Sequence, residues 1–410
     1  QVAVIGGGAA GFFSAISAKT HHPDANVTIY EKSDKLLSKV KVSGGGRCNV
    51  THHCFKIGEL VKFYPRGEKP LRKAFGIFSP TDTIAWFEER GVELKTEADG
   101  RMFPTTDSSQ TIIDCLMEET RKLGIRIKTK SAIKKLTRDG EGYRLKFGSK
   151  KTNPSVPSKE GKLFDKVIVA TGGSPRTEGF NWLKELGHAI EEPVPSLFTF
   201  NMPDEKIKEL MGVVAEPVSV RVMGTKLKSS GPLLITHWGM SGPAILKLSA
   251  FGARVLYDMD YQFKALINWT GEKGEQEIRQ VLDETLAQNP KKRIRNVNPF
   301  GLAGRLWDFL LTKLELSDDM IWDNMGKKNI NRLVHVLMND EYAVSGKTTF
   351  KEEFVTCGGI SLQDVDIKTM QSKPSPNLYF AGEVLDIDGV TGGFNFQNAW
   401  TSGFIAGRLG

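Results

Sequence analysis

Three glycines near the start of the chain, Gly6, Gly8 and Gly11, follow the apolar run Val2-Ala3-Val4-Ile5 and open the alanine-rich segment Ala9 to Thr20. Each has its own use there. Gly6 permits a tight turn, Gly8 lets backbone N–H groups approach a pyrophosphate, and Gly11 lets a helix pack closely on a strand. A helix starting at this point presents partial positive charge to phosphates. Glu31 stands 20 residues after Gly11, at the end of the run Val27-Thr28-Ile29-Tyr30. A carboxylate so placed accepts hydrogen bonds from ribose hydroxyls, which favours NAD or FAD over NADP.

Two later apolar runs also end in glycine: Val167-Ile168-Val169-Ala170-Thr171-Gly172-Gly173, and Leu378-Tyr379-Phe380-Ala381-Gly382-Glu383 with Asp386 beyond it. They resemble the second and third motifs of two-dinucleotide-binding flavoproteins, in which the acid of the third motif meets ribitol hydroxyls. That resemblance favours FAD as the cofactor. Ser43-Gly44-Gly45-Gly46-Arg47-Cys48-Asn49-Val50-Thr51 looks like the signature of the BaiN/YhiN-type NAD(P)/FAD-dependent oxidoreductases. Gly100-Arg101-Met102-Phe103-Pro104, Thr236-His237-Trp238-Gly239-Met240-Ser241-Gly242-Pro243, Cys357-Gly358-Gly359-Ile360 and the stretch from Gly382 through Gly392-Gly393-Phe394-Asn395-Phe396-Gln397-Asn398-Ala399 extend the match across nearly the whole chain. The family implies an FAD domain carrying an inserted barrel and helical part. Its members have been assigned ene-reductase activity on bile-acid precursors, or amine oxidation.

Site residues follow from both lines. Gly6, Gly8, Ala10, Gly11, Glu31, Lys32 and Ile133 are expected on the adenosine and pyrophosphate side. Ala170, Thr171, Gly172, Gly382, Glu383 and Asp386 belong to the later turns. Gly44 and Gly45 are placed against the flavin ring or the pyrophosphate, with Arg47, Cys48 and Asn49 beside them and the Arg47 and Asn49 side chains on cofactor oxygens. Gly392 and Gly393 precede a final helix, followed by Asn395 and Gln397. The N–H groups of that helix can stabilise charge developing at flavin N1 and the C2 carbonyl. The chain departs from the family in having Cys357 where Ala is more frequent, and Phe394-Asn395-Phe396-Gln397 where Tyr-Asn-Leu-Gln is common.

Other reactive types point less far. Cys48 and Cys54 have five residues between them, one more than the C-x4-C of flavin disulfide reductases, and no C-x-x-C pair occurs. His52, His53 and Cys54 have no evident partner cluster, so no metal is expected. His237 reads either as a structural histidine or as one facing substrate. No catalytic residue is singled out. The expected activity is hydride transfer between flavin N5 and a small organic substrate held between the FAD domain and the insertion, with NAD(P)H as reductant. An amine oxidase using O₂ and an RNA-associated flavoprotein stand as alternatives, because no second G-x-G-x-x-G follows Ala170 and the net charge is +8. The densest basic run, Lys291-Lys292-Arg293-Ile294-Arg295, has no interleaved aromatics, which argues against a nucleic-acid platform.

The elements that must position these residues are legible in outline. The fold class expected is α/β, a Rossmann-type FAD-binding domain with an inserted β-barrel plus helical domain. Strands are expected at 2–5, 27–30, 125–130, 166–170 and 378–381, helices at 9–20, 80–90, 109–123 and 395–408, a hairpin over 132–147 and a loop over 148–162. Short β-branched runs between glycines and prolines make 193–270 read as antiparallel sheet. Amphipathic spacing predicts helices over 273–289, 300–316 and 327–339. Residues 1–192 and 346–410 thus form one discontinuous domain around an insertion at 193–345. No apolar run of about 18 residues is present, so no membrane span is expected. The four cysteines and the lack of a signal-like start point to a reduced, cytoplasmic protein.

Overall fold

A computed structural model describes residues 1–148, 161–348 and 355–410. The loop expected over 148–162 lies, from 149 to 160, outside the described residues. The chain divides into two compact units, Gln1–Ser196 with Lys351–Gly410, and Leu197–Phe350.

The first unit is built on a seven-stranded sheet. Its five parallel strands are, in order, Leu378–Phe380, Lys166–Val169, Val2–Ile5, Val27–Tyr30 and Arg126–Lys128. Short antiparallel strands, Gln371–Ser372 and Val365–Asp366, extend one edge. Every residue of Val2–Ile5 and Val27–Tyr30 is buried, as continuous apolar runs are in a parallel sheet covered on both faces. The first helix, Ala9–His21, packs on the last, Phe394–Gly407, through small residues: a Cβ at Gly407 would meet Ser17 Cβ at 2.5 Å. The two ends of the chain therefore share one core. Parallel strands, crossover helices and glycine turns at the strand ends make this a Rossmann-type FAD-binding fold. The hairpin Ile133–Asp139 with Gly142–Phe147 turns at 140–141, and Lys162–Phe164 adds a third strand.

The boundary expected at 193 falls inside the strand Ile190–Ser196, which pairs antiparallel with Val355–Ile360 in the first unit. The one expected at 346 falls between Asp340–Ser345 and Lys347–Thr348, both strands of the second unit's sheet.

That second sheet has seven strands, and all its pairings are antiparallel. Within 193–270, however, Pro243–Phe251 and Ala253–Asp258 are helices. Gly242, at φ +93°, breaks the preceding strand and Pro243 occupies the first helical position. The helix buries several residues against Lys228–Thr236, so its sequence shows neither strand alternation nor a narrow stripe. Helices Glu275–Gln288, Gly304–Lys313 and Gly326–Asn339 fall in the three windows of amphipathic spacing, and Trp269, Trp307 and Trp322 fill the core of this unit.

His188 ties the first unit together near Val355–Ile360. Its Nδ1 donates to Leu183 O at 3.0 Å and its Nε2 accepts from Ser372 Oγ at 2.8 Å. Burial lowers its pKa below 6.5, so the unfolded chain takes up the proton more readily. The stability of the neutral buried ring is complete above that value and is lost as pH falls through it. Urea midpoints should therefore drop between about pH 7 and about pH 5, and His188→Gln should remove that part of the slope. An unchanged slope in the variant would assign the acid sensitivity elsewhere.

Candidate functional site

The first glycine turn is shaped by steric need. Gly6 has φ +118°, and a Cβ there would run into the Ala170 carbonyl; one at Gly11 would run into the Gly6 carbonyl. A Cβ at Gly8 would stand in open space. The first helix begins beside that space with Gly8 as its N-cap and no side-chain cap, so its N-terminal dipole is available to an anion. Glu31 is bound to the turn. Its Oε2 accepts from Gly7 N at 2.8 Å, and its Oε1 from Ser33 N at 2.8 Å and Ser33 Oγ at 2.9 Å. A carboxylate offers about four acceptor sites, so roughly one remains for a ribose hydroxyl. Lys32 is exposed, and Ser131 N donates to Glu31 O, which brings the half-buried Ile133 to the same strand ends.

The second and third turns close on the first. Ala170 N donates to Ile5 O at 2.8 Å, Thr171 is exposed, and Gly172 has φ +73° with open space beside it. Gly382, at φ +76°, faces Ala10, where a Cβ would meet Ala10 Cβ at 2.8 Å. Gly382 N donates to Ser402 Oγ at 2.8 Å. Glu383 accepts from Thr356 N at 2.9 Å and Lys39 Nζ at 2.8 Å. Asp386 donates its amide to Ile360 O, and its charge acts on the Arg66 guanidinium. The three turns lie at the carboxyl ends of three adjacent parallel strands, where open α/β sheets bind ligands. Two buried polar atoms, Thr356 Oγ1 and Asn398 Oδ1, have no hydrogen-bond partner among the described residues. An uncapped helix end, open space beside Gly8 and Gly172, and orphaned polar atoms fit a bound dinucleotide.

The segment Gly44–Asn49 differs from expectation in detail. The helical stretch Ser38–Gly46 breaks at Ser43, and Gly44 and Gly45 have φ +58° and +69°. Gly44 lies on the Phe103 ring, while Gly45 and Gly46 face open space. Arg47 has partners within the protein: Nη1 lies 2.6 Å from Glu97 Oε1, and the guanidinium sits 3.9 Å over the Phe103 ring. Glu97, distant in sequence, satisfies this charge. Cys48 is fully buried at φ +63°, and burial pushes its thiol up to about 12, so it stays protonated. All four cysteines are free.

Asn49, Asn395 and Gln397 are likewise bound by protein. Asn49 donates to Thr51 O and accepts from Gly393 N, both at 3.0 Å. Asn395 grips Gly389, accepting from its N–H at 2.8 Å and donating to its carbonyl at 2.9 Å. Gln397 accepts from Thr51 Oγ1 and Thr83 Oγ1 and donates to Thr401 Oγ1. All three set the Gly392-Gly393 turn and the start of the last helix. The sequence reading missed three more supports of that turn. His52 Nδ1 donates to Gly392 O at 2.9 Å, and its ring stacks on Phe394 with centroids 4.6 Å apart. Tyr64 OH donates to Phe394 O at 2.7 Å. Arg66 makes a two-pronged ion pair with the fully buried Asp388, Nε–Oδ1 at 2.5 Å and Nη2 to Oδ2, and Ser196 Oγ also donates to Oδ2. Cys357 is buried in Val355–Ile360.

In the second unit His237 is exposed at a hairpin turn beside Trp238, whose Nε1 donates to Thr199 Oγ1 at 2.9 Å. The basic run is partly neutralised: Arg293 pairs with Asp319 at 2.8 Å and Arg295 with Asp318 at 2.6 Å, while Lys291 and Lys292 stay exposed. Among the described residues no cluster of His, Cys, Asp and Glu suits a metal, and no helix is long and apolar enough to cross a membrane.

Residues 1–409 match the HI0933-like protein Rossmann domain family. The chain belongs to this family. The resemblance to BaiN/YhiN-type oxidoreductases read from the motifs therefore holds, and the HI0933-like chain is an oxidoreductase of flavoprotein type. It is 24% identical over 418 residues to the 3-dehydro-bile acid delta(4,6)-reductase of Clostridium scindens, covering 100% of this chain and 98% of that protein. It is 27% identical over 421 residues to the ribosomal RNA dihydrouridine synthase of Escherichia coli, covering 99% and 96%. Among solved structures, 3-ketosteroid delta1-dehydrogenase from Sterolibacterium denitrificans shares the fold at a TM-score of 0.51 and 12% identity, with 99% of this chain and 98% of that one covered.

Proposed function

We propose that this chain is an FAD-dependent oxidoreductase that reduces a carbon–carbon double bond conjugated to a carbonyl in a small organic substrate, with NAD(P)H as reductant. The observation that carries this reading is the meeting of three glycine turns at the ends of adjacent parallel strands, beside an uncapped helix N-terminus. Bound FAD supplies two-electron chemistry at flavin N5. On this reading 1–192 and 346–410 bind FAD. Gly6, Gly8, Ala10 and Gly11 take the pyrophosphate, and Glu31 takes the adenosine ribose, with Lys32 and Ile133 alongside. Thr171, Gly172 and Glu383 line the ribityl side. The N–H groups opening the last helix stabilise negative charge on the ring's N1 and C2 carbonyl edge. Asn49 and His52 hold Gly392-Gly393 in place for that task.

The substrate class is supported by what two relatives share. The names delta(4,6)-reductase and dihydrouridine synthase both describe saturation of a ring double bond. Anaerobic stopped-flow reduction by NADH and NADPH, followed by mixing with a cyclic enone or with O₂, tests the proposal. Flavin reduced by one nicotinamide and reoxidised faster by the enone than by O₂ is the expected result. Reduction by amines, with O₂ the better acceptor, would replace it with an amine oxidase.

Uracil in RNA is a second reading of the same chemistry, favoured by full-length similarity to a dihydrouridine synthase and by the charge of +8. The pairing of Arg293 and Arg295 with acids weakens the basic run as its platform. Absorbance at 260 nm that persists after flavin extraction and disappears with nuclease supports RNA.

A further inference from the structure

Thr356 carries a hydroxyl that the fold buries and leaves unmatched. The residue is fully buried, and its Oγ1 makes no hydrogen bond among the described residues. Its neighbours fix its place. Thr356 N donates to Glu383 Oε1 at 2.9 Å. A Cβ at Gly173 would run into Thr356 Oγ1 and meet Glu383 Oε1 at 2.8 Å. Hydroxyl, carboxylate and glycine backbone thus converge between the second and third glycine turns. Beside them Gly172 faces open space, and the Glu383 side chain keeps 17% exposure. A buried hydroxyl without a partner costs about 1–3 kcal/mol, whereas valine has nearly the same shape and no such cost.

We infer that Thr356 is a cofactor-binding residue whose hydroxyl hydrogen-bonds the ribityl chain of FAD next to Glu383. The inference rests on the FAD reading above. A polyol suits this pair of side chains. The Glu383 carboxylate only accepts, the threonine hydroxyl donates or accepts, and a ribityl hydroxyl can do both at once. Water alone would satisfy the oxygen without linking it to cofactor affinity. The adenosine half is held separately by Glu31 and the Gly6–Gly11 turn, so the two halves of the site can be probed apart.

The test uses apoprotein of the full chain with Thr356→Val and Thr356→Ser, titrated with FAD and, separately, with ADP. Thr356→Val should weaken FAD binding by about tenfold and leave ADP binding unchanged. Its apoprotein should unfold at no lower temperature than wild type, because an unmatched polar atom has gone. Thr356→Ser should bind FAD like wild type. FAD affinity of the valine variant within about twofold of wild type, or ADP affinity falling in parallel, would overturn the inference. A wild-type protein that binds no FAD would instead sink the reading on which it rests.

Discussion

Replacing Arg66 with alanine is expected to destabilise the protein by about 3–5 kcal/mol, the usual cost of removing one member of a buried ion pair. The loss comes from what remains. Asp388 is fully buried, and without the guanidinium only Ser196 Oγ, among the described residues, opposes its desolvation. Burial already pushes the Asp388 carboxyl up, while Arg66 and Ser196 hold it back. With Arg66 gone, the folded-state pKa rises further above the unfolded value. Protonation then favours the folded form, so the deficit of Arg66→Ala should shrink as pH falls toward the carboxyl range and be largest at neutral pH. Urea unfolding of Arg66→Ala, Asp388→Ala and the double variant checks this. The double variant should lose clearly less than the sum of the two single losses. Additive losses, or a deficit independent of pH, would remove the ion pair from the supports of the segment before the last helix.

Glu31→Ala should weaken FAD binding by about 10-fold to 150-fold, corresponding to about 1.5–3 kcal/mol for a hydrogen bond to a charged group. The carboxylate binds Gly7 N and Ser33 as well as offering a remaining site to ribose, so the variant loses both the contact and the shape of the turn. Glu31→Gln keeps a carbonyl oxygen and should fall in between. Fluorescence titration of apoprotein with FAD measures both. Unchanged affinity in Glu31→Ala would mean that the first glycine turn does not hold the adenosine half.

The Rossmann elements were legible in the chain, because each rests on local rules. Glycine at 6 and 11 is dictated by clashes with the Ala170 and Gly6 carbonyls, and the buried strands announce themselves as apolar runs. The sequence also carried the family signature, whose blocks are contiguous in the chain. It did not reveal the helices at 243–258: Pro243–Phe251 is covered on most sides, and Ala253–Asp258 has only six residues and leaves the apolar Val255 and Tyr257 exposed, so neither shows the periodicity that marks an amphipathic helix. Nor did it show what the polar side chains of the signature do. Arg47 meets Glu97, Asn49 meets Gly393, and Gln397 meets Thr51 and Thr83, partners as far as 346 residues away. Folding brings these residues to partners elsewhere in the chain, and it sets the unmatched hydroxyl of Thr356 beside Glu383. The reason is physical: a hydrogen-bonding residue type advertises the capacity to bind, while its partner is selected by chain segments that folding brings together.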